Sequence, residues 1–275
     1  MEISDEEVRS LSSAIQKRYG VDFTCYEIRS LKRRIVRIIN KHKLGSLFGL
    51  WEKVLKDPTF VEEFTNEISV GLTSLFRDPP LWQFLRDYIT EFFDVKNNSR
   101  LNIWHAGCST GEEVYSMGIV LNEIKKSIFT HALATDMNTD SISKAKNGEY
   151  NMATYSDYSN NYKVYNKRGF FDVHVTKSEK TYKFNPDLIR HVDFKEHNLV
   201  TDPYNGRYDI IFCRNVLIYF DAATKGRILQ QFYNALNKDG LLIIGFFDSF
   251  IPFSNDKLFS YLNTDVRVLK KSRIE

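Results

Sequence analysis

The stretch RYDIIFCRNVLIYFD, residues 207–221, decides the fold. An apolar run ends at Cys213 and meets Arg214 and Asn215, and a second run reaches Tyr219. A strand of a parallel sheet reads this way, because helices cover both of its faces. Open α/β sheets bind ligands beyond the carboxyl ends of their strands. Arg214, Asn215 and Tyr219 are therefore expected at the rim of a site rather than in a core.

The same grammar extends on both sides. LNIWHAG (101–107), HALATD (131–136), HVDFKEHN (191–198), LLIIGFF (241–247) and TDVRVLKK (264–271) read as further strands. Helices are expected from Glu112 to about Lys125, from Thr139 to Lys146 and from Ala222 to Leu236. Alternating strands and helices predict an α/β domain with a parallel sheet. The span containing Pro252 is expected to return the last strand as an antiparallel edge. Residues 150–188 break the rhythm: FFDVHV (170–175) and KTYKF (180–184) alternate like strands, which predicts a small antiparallel β insertion at about 155–190.

Upstream the pattern is helical. Ser4 and Glu7 have capping-box spacing and open a helix to about Arg18. A second helix, 26–42, puts Ile28, Leu31, Ile35, Ile38 and Ile39 on one face. Shorter helices follow at 46–56 and 59–70, and Pro79–Pro80 starts another. The grammar changes after Asn97–Asn98–Ser99. The expected division is an all-α domain over 1–78 and an α/β domain over 79–275.

Composition narrows the function. With 43% hydrophobic and 27% charged residues the chain is an ordinary globular protein and not a disordered one. A net charge of +3 is too small for a dedicated nucleic-acid binder, so no nucleic-acid partner is expected. Cys25, Cys108 and Cys213 form no C-x-x-C pair, so neither a zinc site nor a disulfide framework is expected, and no metal is assigned. MEISDEEVRS is not a signal peptide, and no apolar run approaches the ~20 residues of a membrane span. The expected location is the cytoplasm.

In IWHAGCSTGEEVYS, Gly107 and Gly111 bracket a strand-to-helix turn of small residues, where a ligand can meet backbone N–H groups. The spacing is not G-x-G-x-x-G. Glu112 and Glu113 would repel a pyrophosphate and suit a cationic or amino-bearing ligand. A purely structural turn reads equally well. Asp136 ends the second strand, where doubly wound folds keep an acid for ribose hydroxyls, although helix capping is the alternative. Together these residues fit S-adenosylmethionine, whose sulfonium and amino groups are positive. On helix 26–42, Arg29, Arg33 and Arg37 recur every four residues, with Arg34 and Lys41 beside them. That face is either solvated surface or an electrostatic dock for an acidic partner.

GLTSLFRD (71–78), AGCSTGEEVYS (106–116), ATDMNTDSISKAKNGEY (134–150), Asn198–Leu199 and FCRNVLIYFD (212–221) occur in this order. The set resembles the CheR-type chemotaxis receptor methyltransferases over nearly the whole chain. The resemblance implies an all-α amino-terminal domain followed by a Rossmann-like class I methyltransferase domain with a small β insertion. It implies S-adenosylmethionine as donor, S-adenosylhomocysteine as product and glutamates of chemoreceptor cytoplasmic helices as acceptors. Carried over, Thr73 and Arg77 cover the donor, Glu113 or Glu112 binds it near Gly107, and Asp136 takes the ribose. Asn198 and Leu199 flank the adenine, Arg214 and Asn215 line the cleft, and Tyr219 sits near the methyl. Arg77 and Tyr219 are the catalytic candidates. Arg29, Arg33, Arg34, Arg37 and Lys41 are the docking candidates.

Three departures stand out. Val114 replaces the proline usual after the paired glutamates. Gly245-Phe246-Phe247-Asp248-Ser249 replaces a G-H-S-E-like run. Only Gly169 stands where pentapeptide-binding members carry a glycine-rich loop, so an enzyme independent of a pentapeptide tether is expected. The alternative to an active transferase is a regulatory module that binds donor or receptor and transfers methyl poorly.

Overall fold

The computed structural model describes residues 3–68, 73–93, 100–248 and 258–272. Gly71 and Leu72, the Asn97–Ser99 change-over, Ser249 and the Pro252 span lie outside the described residues. The chain divides into two compact units: Met1–Val70 with Val216–Arg227, and Gly71–Asn215 with Ile228–Glu275. The sequence division at 78/79 falls elsewhere: the described residues 73–78 belong to the second unit, and 216–227 to the first.

The first unit is built on α1 (Asp5–Tyr19), α2 (Ile28–Lys41), α3 (Leu47–Lys56) and α4 (Pro58–Ile68). The Ser4–Glu7 capping box forms in both directions, satisfying two donors at the start of α1. Leu31, Ile35, Ile38 and Ile39 of α2 are buried, while Ile28 is only half-buried. The excursion 216–227 joins this unit through the backbone: Glu27 N donates to Tyr219 O at 2.8 Å and Asp221 N to Cys25 O at 2.9 Å. The stretch quoted first therefore serves both units, its strand in one and Tyr219 in the other.

The second unit opens with α5 (Pro79–Phe92) and carries a seven-stranded mixed sheet. Its strands are β1 (Leu101–Ala106), β2 (Thr130–Asp136), β6 (Val192–Glu196), β7 (Tyr208–Cys213), β8 (Leu236–Ile244), β9 (Phe259–Asn263) and β10 (Val268–Lys271), in the order β6-β2-β1-β7-β8-β10-β9. The first five are parallel, and β10 and β9 run antiparallel at one edge. α6 (Glu112–Glu123), α7 (Thr139–Asn147) and α9 (Ala222–Ala235) fall where expected. Chain order runs outward from β1 to β2 on one side, while β7 pairs on the other. The crevice between β1 and β7 is thus the topological switch point, where such sheets bind ligands.

Several expectations are corrected. The strand expected at 241–247 is β8, which ends at Ile244, so Phe246 and Phe247 stand off the sheet and are exposed. The run 264–271 is interrupted because Asn263 Oδ1 accepts from Asp265 N and Val266 N, forming a turn between two strands. The insertion sheet is β3 (Glu149–Asn151), β5 (Thr181–Phe184) and β4 (Val175–Lys177), so it begins before residue 155. Residues 171–174 form a 3-10 turn instead of a strand. An additional helix, α8 (Tyr155–Tyr165), buries Tyr158, Tyr162 and Tyr165 on one face.

Candidate functional site

Beyond β1 the chain turns through left-handed backbone at Gly107, Ser109 and Gly111 (φ 82°, 50° and 96°). Gly111 also has no room for a side chain, since a Cβ there would lie 2.7 Å from that of Ala145. Beyond β7, Asn215 is left-handed as well (φ 59°), and so are Phe76 and Asp78. Non-glycine residues held in this region gather at functional sites. These four lie in the loops after β1 and β7 and in the segment 73–78. That segment is fixed to α6 by Phe76 N, which donates to Ser116 Oγ at 2.8 Å.

Arg214 ties these loops together. Its Nη1 donates to Glu113 Oε2 at 3.3 Å, and its Nη2 to Asp78 Oδ2 at 2.7 Å and to the Arg77 carbonyl at 3.0 Å. The side chain is 3% exposed. Trp82 Nε1 donates to the same carbonyl at 2.9 Å, and the indole stacks on Phe212. Glu113 Oε1 meets His105 Nδ1 at 2.9 Å. Burial works to raise the Glu113 pKa, but the His105 hydrogen bond and the charges of His105 and Arg214 outweigh it and hold the carboxyl below its ordinary range. Glu113 therefore stays an anion, as a site for a cationic ligand requires.

Glu112 does a different job. It is buried, accepting from Tyr158 of α8 at 2.9 Å and from Thr110 Oγ1 at 2.6 Å, so it ties the insertion to the glycine turn. Asp136 accepts from Ser109 N at 2.8 Å and Asn138 N at 3.0 Å. Burial pushes its pKa up in spite of these N–H groups. Asn138, not Asp136, caps α7. Asn198 folds its own loop, its N–H donating to Asp202 and its Oδ1 accepting from Val200 N, and Leu199 is buried. Thr73 and the Arg77 side chain are half-buried.

Sequence reasoning missed three supports. His105 orients Glu113, Asp78 pairs with Arg214, and buried Asp248 accepts from Asn215 N at 2.5 Å and Gly245 N at 2.8 Å. Gly245 is required by that approach, as a Cβ would lie 2.6 Å from Asn215 N. Asp78 lies 136 positions from Arg214 and Asp248 lies 33 from Asn215, and even His105, eight before Glu113, sits across a turn on another element, so spacing carried no signal for these pairs. A cavity of about 270 Å³ beside Arg214 is lined by Asp78, Leu81, Phe246 and Arg267, so one of the two exposed aromatics borders the same space as the arginine.

In the first unit Arg29, Arg33 and Arg37 are exposed along α2. The other two basic residues are engaged. Arg34 donates to the Ile68 carbonyl and lies over the Tyr219 ring at 4.1 Å, and Lys41 pairs with Glu67 at 2.7 Å. The three cysteines are buried free thiols, and burial pushes Cys25 up to about 12. Among the described residues no helix is long and apolar enough to cross a membrane.

S-Adenosylmethionine offers a cation, a carboxylate, a ribose diol and an adenine. Ser109 Oγ, Arg214 Nε and Asn215 Oδ1 are buried without a hydrogen-bond partner among the described residues, in the loops that follow β1 and β7. Buried polar atoms need partners. An anionic Glu113, an acid ending β2 and these waiting atoms at the switch point fit that donor.

Fold and site define a nucleotide-type ligand domain of the α/β methyltransferase class, joined to a helical unit. Residues 71–268 match the family profile described as CheR methyltransferase, SAM binding domain, and residues 6–69 match CheR methyltransferase, all-alpha domain. A Pseudomonas putida protein named as a methyltransferase, Cher3, is 32% identical over 98% of this chain and 98% of its own length. A chemotaxis protein methyltransferase of Listeria innocua is 30% identical over 84% of this chain and 85% of its own. One of Escherichia coli is 29% identical, with coverages of 90% and 86%. The chain belongs to the CheR methyltransferase family. It is an S-adenosylmethionine-dependent methyltransferase.

Proposed function

We propose that the chain esterifies glutamate side chains on cytoplasmic helices of chemoreceptors, acting in chemotaxis in the cytoplasm and without a pentapeptide tether. The donor brings a methyl group on a sulfonium. The acceptor carboxylate, with an ordinary pKa near 4.3, is already ionised at neutral pH, so no general base is needed. What remains for the protein is to hold carboxylate, methyl and sulfur in line away from water.

The site residues divide that work. Asp136 takes the ribose, since the N–H groups of Ser109, Met137 and Asn138 still leave its carboxylate an acceptor position to spare. Asn198 and Leu199 flank the adenine, Glu113 meets the positive end of the donor, and Gly107 lets the ligand approach the backbone. Thr73 covers the donor, and Arg214 and Asn215 shape the cleft. Arg77 and Tyr219 orient the acceptor. The observation that carries the choice of acceptor is the exposed row Arg29, Arg33 and Arg37, which suits a helix rich in glutamate.

The test is incubation with labelled S-adenosylmethionine and receptor cytoplasmic fragments, followed by mild base. Volatile label from methyl ester is expected, and Arg77→Ala and Tyr219→Phe each reduce it with the fold intact. Donor binding without ester would favour the regulatory module instead, for which the exposed Phe246–Phe247 pair is the supporting feature.

A further inference from the structure

The first unit contains a cluster that methyl transfer does not use. His42 caps the carboxyl end of α2, and Glu63 and Glu67 stand one turn apart on α4. His42 Nε2 lies 2.7 Å from Glu67 Oε1 and 3.8 Å from Glu63 Oε1, and one donor atom from each residue falls within 4.8 Å of the others. Two ligands bound tetrahedrally to zinc at about 2.0–2.1 Å stand roughly 3.3 Å apart. The observed separations bracket that value, so small side-chain rotations would close the triad on one ion.

Two further observations point to a cation. The Glu67 side chain is 10% exposed, and its Oε2 is buried with no hydrogen-bond partner among the described residues, which leaves that oxygen out of water and unsatisfied by them. The cluster also sits at the carboxyl end of α2, where the helix dipole favours positive charge. The His42 ring is held edge-on to Phe60 at 5.0 Å, which fixes the direction of its nitrogen. Lys41, paired with Glu67 Oε1 at 2.7 Å, partly fills the demand and competes with an ion for the same carboxylate.

We propose that His42, Glu63 and Glu67 form a binding site for a zinc-like divalent cation, with water completing the coordination. One imidazole and two carboxylates suit a borderline ion better than magnesium, which prefers an octahedron of oxygens. The ion would tie the end of α2, the helix that carries Arg29, Arg33 and Arg37, to α4.

The test is calorimetric titration of the full chain, stripped with chelator, with ZnCl2 alone, alongside thermal melts. A 1:1 complex with a Kd on the order of 1 μM and a raised Tm are expected. His42→Gln and Glu63→Gln should each weaken binding by about 10–100-fold. Glu63 is exposed enough for its variant to fold, so it decides the matter if His42→Gln does not. Lys41→Ala should tighten binding by removing the competing ammonium, and His131→Gln, in the other unit, should leave it unchanged. The proposal is overturned by no saturable binding at about 100 μM ZnCl2, roughly a hundred times the expected Kd. It is equally overturned by binding that Glu63→Gln preserves, or by a loss of affinity in Lys41→Ala.

Discussion

Arg214 and the row Arg29, Arg33 and Arg37 place the same side chain in opposite settings. Arg214 is 3% exposed at its side chain and divides its guanidinium among Glu113, Asp78 and the Arg77 carbonyl. The row stands exposed along one helix. A buried charge must be paired to be tolerated, so its partners are fixed and its removal is costly. An exposed charge costs little to keep and is available to an incoming partner, acting through long-range attraction that salt screens. In the proposed function the first setting serves the donor site and the second recruits the acceptor.

Arg214→Ala should break the contrast most severely. It removes one of the two charged partners of Glu113, leaving His105 alone, and a loss of about 3 kcal/mol is expected, at the low end for one partner of a buried pair. Thermal melts should show a Tm lower by roughly 10 °C, and donor binding should be lost with it. An unchanged Tm would mean that Arg214 is not the tie between the loops.

Glu113→Gln probes the same network through pH. Glu113 is held below its ordinary value near 4.5, so its ionised form stabilises the fold. That contribution is complete above 4.5 and is lost as pH falls through the lowered value. Stability of the wild type relative to Glu113→Gln should therefore be greatest at neutral pH and should shrink under acid. A gap that widens under acid would reverse the assignment. At the other extreme, Arg33→Glu with Arg37→Glu should change stability by no more than about 0.5 kcal/mol, as expected for exposed positions.

The two settings were unequally legible in the sequence. The row could be read from helical spacing alone, because exposure follows from lying opposite the isoleucine face. Spacing could not show that Arg34 and Lys41 are already engaged, since their partners Ile68 and Glu67 lie on another helix. Arg214 was placed at a strand's mouth by the apolar run before it, and the sheet order confirms that position. Its partner Asp78 lies 136 positions away and Glu113 lies 101 away, distances over which no periodicity speaks. Helix α8 was hidden by its composition. Tyr, Asn and Ser are weak helix formers, and the helix stands because Tyr158, Tyr162 and Tyr165 find buried positions with Glu112 and Glu123 as acceptors.

The division of labour between the two settings is tested most directly by steady-state methyl transfer from Arg33→Glu with Arg37→Glu, varying the receptor fragment and the donor separately. A raised KM for the receptor fragment and a weaker dependence on salt are expected, with KM for S-adenosylmethionine and the melting curve unchanged. A receptor KM and salt dependence equal to those of the wild type would contradict that division.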